Sequence, residues 1–317
     1  HSGVLGKLLK TAPSAVVKGS RASGIFLREI LNHPFTFEAI SHGETLDLGG
    51  RRLQFFSAPN LHWPDSIFTY VPEDKVLFTC DAFGSHYCGS NLFDDELDDF
   101  NLALKYYFDH IIRPFKQDVL AAVDKIKDLQ LDIIAPSHGP VLRSNPRQYI
   151  DRYTAWSKPC ECKTPKAVIV YVSAYGNTKL MAETIAEGLQ QAGGEAHLYN
   201  AQETDIEQFV NDVECAQGLI VGSPTINADA VKPVWDLLSS LATIKLKGKL
   251  GAAFGSYAWS GEGAKLLAER LKGLKFKVIE PVLNAKLVPS AAELERCREL
   301  GRKFADGMDY NPSLRDR

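Results

Sequence analysis

The sequence predicts an α/β protein of two domains: a partial αββα sandwich, then a doubly wound five-stranded parallel sheet. Three observations predict it. Residues 164–317 alternate five short apolar runs with helix-like stretches, the pattern of strands joined by crossover helices. Residues 1–157 instead place several β-like runs ahead of one long helical stretch, the order of a layered mixed sandwich. Between them, residues 158–163 fall in the polar stretch SKPCECKT, whose Pro159 marks a linker.

In the first domain the runs 15–18, 36–40, 52–57, 66–71 and 76–79 read as strands. A helical stretch follows over about 98–129. It carries Leu102, Tyr106, Ile111, Val119, Val123 and Ile126 at near-helical spacing, and Pro114 is set to break or kink it. The run 132–136 is one more strand and leads into Ser137-His138-Gly139. In the second domain strands are expected at 167–172, 196–199, 218–222, 251–254 and 277–282. Helices are expected at 178–191, 206–213, 231–241 and 264–272, with 291–306 closing the chain.

Composition excludes several function classes. Lys and Arg number 36 against 39 Asp and Glu, a net charge of −3, which argues against a nucleic-acid-coating protein. No apolar run approaches the roughly 20 residues that a membrane helix needs. The six cysteines (80, 88, 160, 162, 215 and 297) are scattered through a chain too long to need disulfide staples, which fits a reducing cytoplasm. Cys160 and Cys162 are the only close pair. Without a second Cys/His pair at finger-like spacing, they read as linker chemistry rather than a zinc site.

The first strand of the second domain runs into Ser173-Ala174-Tyr175-Gly176-Asn177-Thr178 and then a helix. A phosphate monoester needs converging donors. A helix N-terminus supplies N–H groups, Ser173, Asn177 and Thr178 supply side chains, and Gly176 lets the backbone curl inward. No Walker lysine and no G-x-G-x-x-G occurs here, which disfavours a triphosphate or a dinucleotide. Taken alone, the segment also reads as a plain N-cap by Asn177 or Thr178. Two later loops shift the balance: Ser223-Pro224-Thr225-Ile226-Asn227 and Ser256-Tyr257-Ala258-Trp259-Ser260-Gly261. In an open parallel sheet, loops from the carboxyl ends of strands one, three and four gather at the switch point. An isoalloxazine ring needs an aromatic wall and backbone donors, which these loops offer together. This half resembles flavodoxin over 166–317. The resemblance implies FMN, with residues 173–178 on the phosphate and residues 223–227 and 256–261 around the ring. Tyr175 stands where many flavodoxins carry a hydroxyl residue.

In the first domain His62, Asp81 and His138 each follow a strand, in Asn60-Leu61-His62-Trp63-Pro64-Asp65, Thr79-Cys80-Asp81-Ala82-Phe83-Gly84 and Pro136-Ser137-His138-Gly139-Pro140. A single loop histidine is more often a solvated or capping residue. Three such loops at one end of a sandwich can bring imidazole and carboxylate donors to one metal site, zinc or iron. His1 joins them as a fourth candidate ligand. His62 lies 61 positions after His1, Asp81 a further 19 and His138 a further 57.

That spacing resembles the metallo-β-lactamase fold and, more closely, the flavodiiron proteins (A-type flavoproteins). Their pattern is H-x-E-x-D-H, a His about 60 residues on, an Asp and a final His. The phrases HSG, HWPDSIFTY, DAFGSH and PSHGPV, followed directly by a flavodoxin module, carry the resemblance over the whole chain. It implies two non-haem irons, with His62 and Asp81 on one, His1, Asp81 and His138 on the other, and Asp81 bridging. The family's first His, Glu and Asp would fall before His1, so the chain is expected to be truncated at its front and its diiron site incomplete. His86, close after Asp81, is a candidate proton donor or supporting residue. The implied activity is reduction of dioxygen to water, nitric oxide to nitrous oxide, or both. A rubredoxin or related protein would supply electrons to a head-to-tail homodimer, with neither nucleic acid nor membrane involved. The alternatives are a zinc-dependent hydrolase using the same loops and a flavodoxin-type carrier without diiron catalysis.

Overall fold

The computed structural model describes residues 2–160 and 164–309, and the chain divides into two units, His1–Pro159 and Cys160–Arg317. The first unit begins with α1 (Leu5–Thr11), β1 (Val16–Gly19), α2 (Arg21–Leu31) and β2 (Thr36–Ala39); β1 and β2 pair in parallel. Ser20 caps α2 by accepting the Ser23 N–H at 3.1 Å, which satisfies one of the donors that a helix start leaves open.

Five strands then form the main sheet of this unit: β3 (Thr45–Asp47), β4 (Arg52–Ser57), β5 (Ile67–Val71), β6 (Val76–Cys80) and, later in the chain, β7 (Ile133–Pro136). They lie in the order β3-β4-β5-β6-β7, antiparallel except for the parallel pair β6–β7. Between β6 and β7 the expected long helix is broken where Pro114 predicts. The segment α3 (Asn101–Tyr107) passes through a π-helical turn (Phe108–Ile112) and a 3-10 turn (Arg113–Phe115) into α4 (Lys116–Ile126). After β7 comes α5 (Pro146–Ser157), opened by proline at its first position, where no intrahelical N–H is lost. Phe56, Leu77 and Ile134 of the sheet pack with Leu104, Ile112, Val119, Ile126, Tyr149 and Tyr153 of the helices in one core. The sequence reading passed over α1, α2, β3 and α5. α1 and β3 are very short and α2 buries only Gly24 and Leu27, whereas α5 buries Pro146, Tyr149, Ile150 and Tyr153 at helical spacing.

The second unit contains β8 (Lys166–Tyr171), α6 (Asn177–Gln191), β9 (Glu195–Asn200), α7 (Ile206–Cys215), β10 (Gly218–Ile226), β11 (Asp229–Ala230), α8 (Lys232–Ser240), β12 (Leu250–Tyr257), α9 (Glu262–Gly273), β13 (Lys277–Val278), β14 (Leu283–Lys286) and α10 (Ala291–Asp309). Along β8, Val168 and Val170 enter one core while Ala167, Ile169 and Tyr171 enter another. Burial on both faces is why such strands read as unbroken apolar runs, and it is the mark of a doubly wound sheet. The parallel order is β13-β12-β10-β8-β9. Two expectations need correction. The fifth strand, expected as 277–282, is split: β13 pairs with Leu250–Gly251 of β12, and β14 with Phe254–Tyr257. Pro281 lies in the gap and has no N–H to give the ladder. Strand three, expected to end at Gly222, runs on to Ile226 and folds back on β11 through a two-residue turn in which Asn227 and Ala228 both have positive φ. Such a turn matches the twist of an antiparallel pair.

The cysteines also depart from expectation. Cys160 and Cys215 form a disulfide with Cα atoms 5.4 Å apart, within the span that such a bond needs. The fold brings the linker to the end of α7, which spacing in the sequence does not reveal. Cys162 lies outside the described residues. No helix among the described residues is long and apolar enough to cross a membrane.

His197 sits between Glu195 (2.7 Å) and Asp212 (3.0 Å). Asp212 also accepts from Lys166 at 2.8 Å and from the Tyr199 hydroxyl at 2.5 Å, joining β8, β9 and α7. Burial opposes its ionisation, but hydrogen bonds from Lys166, Tyr199 and His197 and the Lys166 charge outweigh it and pull the carboxyl down to about 2. The folded-state pKa lies below the unfolded one, so this stabilisation is full above the ordinary carboxylate range. It is lost as pH falls toward about 2, and is worth up to about 2 kcal/mol. Asp212→Asn should therefore lower stability at neutral pH and flatten the acid limb between about pH 4 and 2. Urea midpoints measured across that range check it; parallel limbs for variant and wild type would contradict it.

Candidate functional site

β4 and β6 both run antiparallel to β5, and β7 runs parallel to β6, so the carboxyl ends of β4, β6 and β7 lie along one edge of the sheet. The loops carrying His62, Asp81 and His138 leave from that edge. The first loop is closed by Ala58 N–H to Ser66 O (3.2 Å) and Asn60 N–H to Trp63 O (2.8 Å), with fully buried Leu61 as its anchor. Asn60 Nδ2 donates to Asp118 of α4 at 3.1 Å. Around Asp81 the backbone is strained: Cys80 and Phe83 both have positive φ without being glycine. Such residues persist where surrounding structure holds them, and they cluster at functional sites. Here Thr79 Oγ1 donates to Ala82 O at 2.7 Å, and the Phe83 ring packs 4.7 Å from Tyr153. The third loop closes on the second through Ser137 N–H to Cys80 O (2.7 Å) and Ser85 N–H to His138 O (3.3 Å). Gly139 has φ +77°, and a Cβ there would stand 2.1 Å from Ser85 Oγ, so both conformation and space call for glycine.

This framework brings three of the four expected metal ligands together. Asp81, 2% exposed, lies with Oδ1 3.2 Å from His138 Nε2 and Oδ2 3.7 Å from His62 Nε2, while both imidazoles reach solvent. Donors about 2.0–2.2 Å from one ion stand about 3.0–3.5 Å apart at octahedral or tetrahedral angles. The Asp81–His138 pair has that spacing and His62 is slightly wider. Two imidazoles with a buried carboxylate suit iron or zinc. Among the described residues no group of three or more His, Cys, Asp or Glu meets the geometry of a metal cage. The three donors are a partial set, two contacts joined through Asp81. His1 lies outside the described residues.

His86 is exposed and stands one ring away from this set, 4.8 Å from Tyr107 and 6.0 Å from Tyr106. Tyr107 is the residue that sequence reasoning missed. It is buried between His86 and His138, its ring 5.9 Å from the latter. Burial first, then the charge of Asp81, push its hydroxyl well above the usual phenol range, so it stays protonated. Only its helical neighbour Tyr106 stood out in the sequence, and nothing in the spacing distinguishes the two.

In the second unit the carboxyl ends of β8, β10 and β12 are adjacent, because these strands are neighbours in the sheet. Gly176, at φ +85°, precedes α6 and gives it no side-chain cap, and a Cβ there would meet nothing within 4 Å. In the first turn of α6, Ser173 Oγ accepts the Lys179 N–H at 3.1 Å and the Gly176 carbonyl accepts the Leu180 N–H at 2.9 Å. Ala174 and Tyr175 are exposed, Tyr175 at 92%, and Asn177 is partly so. Thr178 is buried and hydrogen-bonded to Ser256 at 2.8 Å, a joint between two loops rather than an open donor. Ser223 is also buried. Its hydroxyl donates to Pro224 O (2.8 Å) and accepts the Val231 N–H (3.1 Å), so it holds the chain's own turn. Pro224 pairs with Ser256 within the sheet, and Thr225 accepts the Gly263 N–H at 3.2 Å, capping α9. Asn227 sits exposed in the β10–β11 turn. Tyr257, Trp259 and Gly261 line a cavity of about 330 Å³, and Trp259 is 82% exposed. A bare helix start, a glycine with open space and an indole offered to solvent fit a phosphorylated aromatic ligand.

Comparison with known proteins agrees with both halves. The family described as "ODP family beta lactamase" matches residues 2–139, and the flavodoxin family matches residues 169–301. A type A flavoprotein of Rhodobacter capsulatus is 44% identical over 324 residues, covering 100% of this chain and 74% of the relative. A nitric oxide reductase of Moorella thermoacetica is 38% identical over 312 residues, covering 96% and 77%. Among solved structures, the rubredoxin oxygen:oxidoreductase of Desulfovibrio gigas superposes with a TM-score of 0.63 at 28% identity, covering 100% of this chain and 80% of that one.

Proposed function

Because the chain belongs to the flavodiiron family of type A flavoproteins, we propose that it is an oxidoreductase in which FMN feeds a non-haem diiron site that reduces nitric oxide, dioxygen or both. The observation that carries this reading is the buried Asp81 carboxylate between His62 and His138, in a chain that also carries a flavodoxin sheet. When bound, FMN exchanges electrons singly or in pairs, and paired irons bind and reduce the small molecule, nitric oxide to nitrous oxide and dioxygen to water.

The chain's own residues do the rest. Asp81 would be the carboxylate shared by the two irons, His62 would help hold one of them, and His138 with His1 would help hold the other. Tyr107 holds its hydroxyl proton beside His138 and walls the site from the helix side. His86, exposed against Tyr107, is placed to pass protons in from solvent. On the flavin side, the start of α6, Ser173 and Asn177 would hold the phosphate, Gly176 would let the backbone approach it, and Tyr257 and Trp259 would hold the ring. Thr178, Ser223 and Thr225 act indirectly, by fixing the loops. Electrons come from a rubredoxin-type or related donor, and the working unit is a head-to-tail homodimer.

Metal and flavin content test this reading. The purified protein should carry iron rather than zinc, together with FMN released on denaturation. Zinc without iron, accompanied by ester or thioester cleavage, would overturn it in favour of a hydrolase.

A further inference from the structure

Two residues beside the cavity at the carboxyl end of β12 carry buried acceptors that have no hydrogen-bond partner among the described residues. The cavity is bounded by Tyr257, Trp259, Gly261, Glu262, Lys265 and Asn284. Glu262 opens α9, and its Oε2 is buried without a hydrogen-bond partner among the described residues. Asn284, on β14, donates through Nδ2 to the Gly261 carbonyl at 3.2 Å, which leaves its Oδ1 as a second buried acceptor without a partner. Neighbouring donors do not fill the gap. The Gly263 N–H is taken by Thr225, and Lys265 lines the same cavity without bonding either atom. A buried acceptor left unmatched costs about 1–3 kcal/mol. The cavity therefore fits a ligand that brings an N–H on a flat, partly apolar body.

We propose that Glu262 is a flavin-positioning residue whose carboxylate accepts the imide N3–H of the isoalloxazine ring, with Asn284 holding the Gly261 turn that presents it. The inference rests on the FMN reading above. The oxidised ring has only this one N–H, flanked by two carbonyls, so a single acceptor here fixes which edge points inward. A carboxylate makes the stronger, charge-assisted bond.

The test titrates apoprotein of the full chain with FMN and with 3-methyl-FMN, which lacks that N–H, following flavin fluorescence. Wild type should bind the methylated flavin on the order of 10- to 100-fold more weakly. Glu262→Ala should weaken FMN itself and bring the ratio of the two affinities close to one. Glu262→Gln, which keeps a neutral acceptor and the side-chain volume, should fall between, and it serves alone if the alanine variant does not fold. Equal binding of both flavins by wild type, or a ratio unchanged in the variants, overturns the role of Glu262 and leaves FMN binding standing. Failure of wild-type apoprotein to bind FMN at all overturns the FMN reading itself.

Discussion

Asp81→Asn should strip the protein of iron and turnover while leaving its FMN in place. The carboxylate is almost fully buried and contacts imidazoles from two separate loops, so it is the one described residue that joins the whole donor set. Asparagine has nearly the same volume, so packing survives. It removes the negative charge, and its NH2 group presents a donor where a metal needs an electron pair. Losing a group that only supports a ligand typically costs 10- to 100-fold in metal affinity or activity. A shared ligand should cost more, on the order of a hundredfold or above. The flavin half has its own two cores and its own residues, so released FMN should match wild type. Iron content, extracted flavin and turnover measured on one preparation separate these outcomes. Retained iron would remove Asp81 from the site.

The second large effect concerns the fold that carries the flavin loops. α6 and α10 meet through glycines: a Cβ on Gly301 would stand 2.1 Å from Ile185 O, and one on Gly188 would stand 2.1 Å from Arg298 O. Both obstacles are backbone, so no side chain can swing away. Alanine is worth about 1 kcal/mol over glycine in a helix interior. Forcing two packed helices apart costs typically 1–3 kcal/mol and sometimes more, and here it would also open the core formed by Ile185, Leu189, Leu300 and Phe304. The clash wins. Gly301→Ala should destabilise the second unit by about 3 kcal/mol, whereas Gly273→Ala, with nothing within 4 Å of its Cβ, should be nearly neutral. Urea unfolding followed by flavin release and circular dichroism checks both. Equal midpoints for the two variants would contradict the packing argument.

How far the sequence could be read depended on what sets each feature. Strands such as β8 were legible because burial on both faces leaves a continuous apolar run bounded by turn residues. The break at Pro114 was legible because proline acts locally, whatever surrounds it. His62, Asp81 and His138 stood out by position, each just after a strand. Their convergence is a property of strand order, which no local pattern encodes. Ser223, Thr225 and Thr178 looked like ligand donors because a free hydroxyl and a hydroxyl holding a turn share one letter in a sequence; only their partners tell them apart. The Cys160–Cys215 bond, the buried Tyr107 and the unmatched acceptor of Glu262 are likewise products of tertiary contact.

The proposed function requires FMN on the flavodoxin unit to drive chemistry at the Asp81 site. Amperometric consumption of nitric oxide and of dioxygen, under a reducing electron donor, tests it most directly when the same iron-loaded protein is assayed with FMN bound and after FMN removal. At least one gas should be consumed, and that consumption should disappear without FMN and return on reconstitution. Consumption that is indifferent to FMN, or no consumption of either gas by protein carrying both iron and FMN, would contradict it.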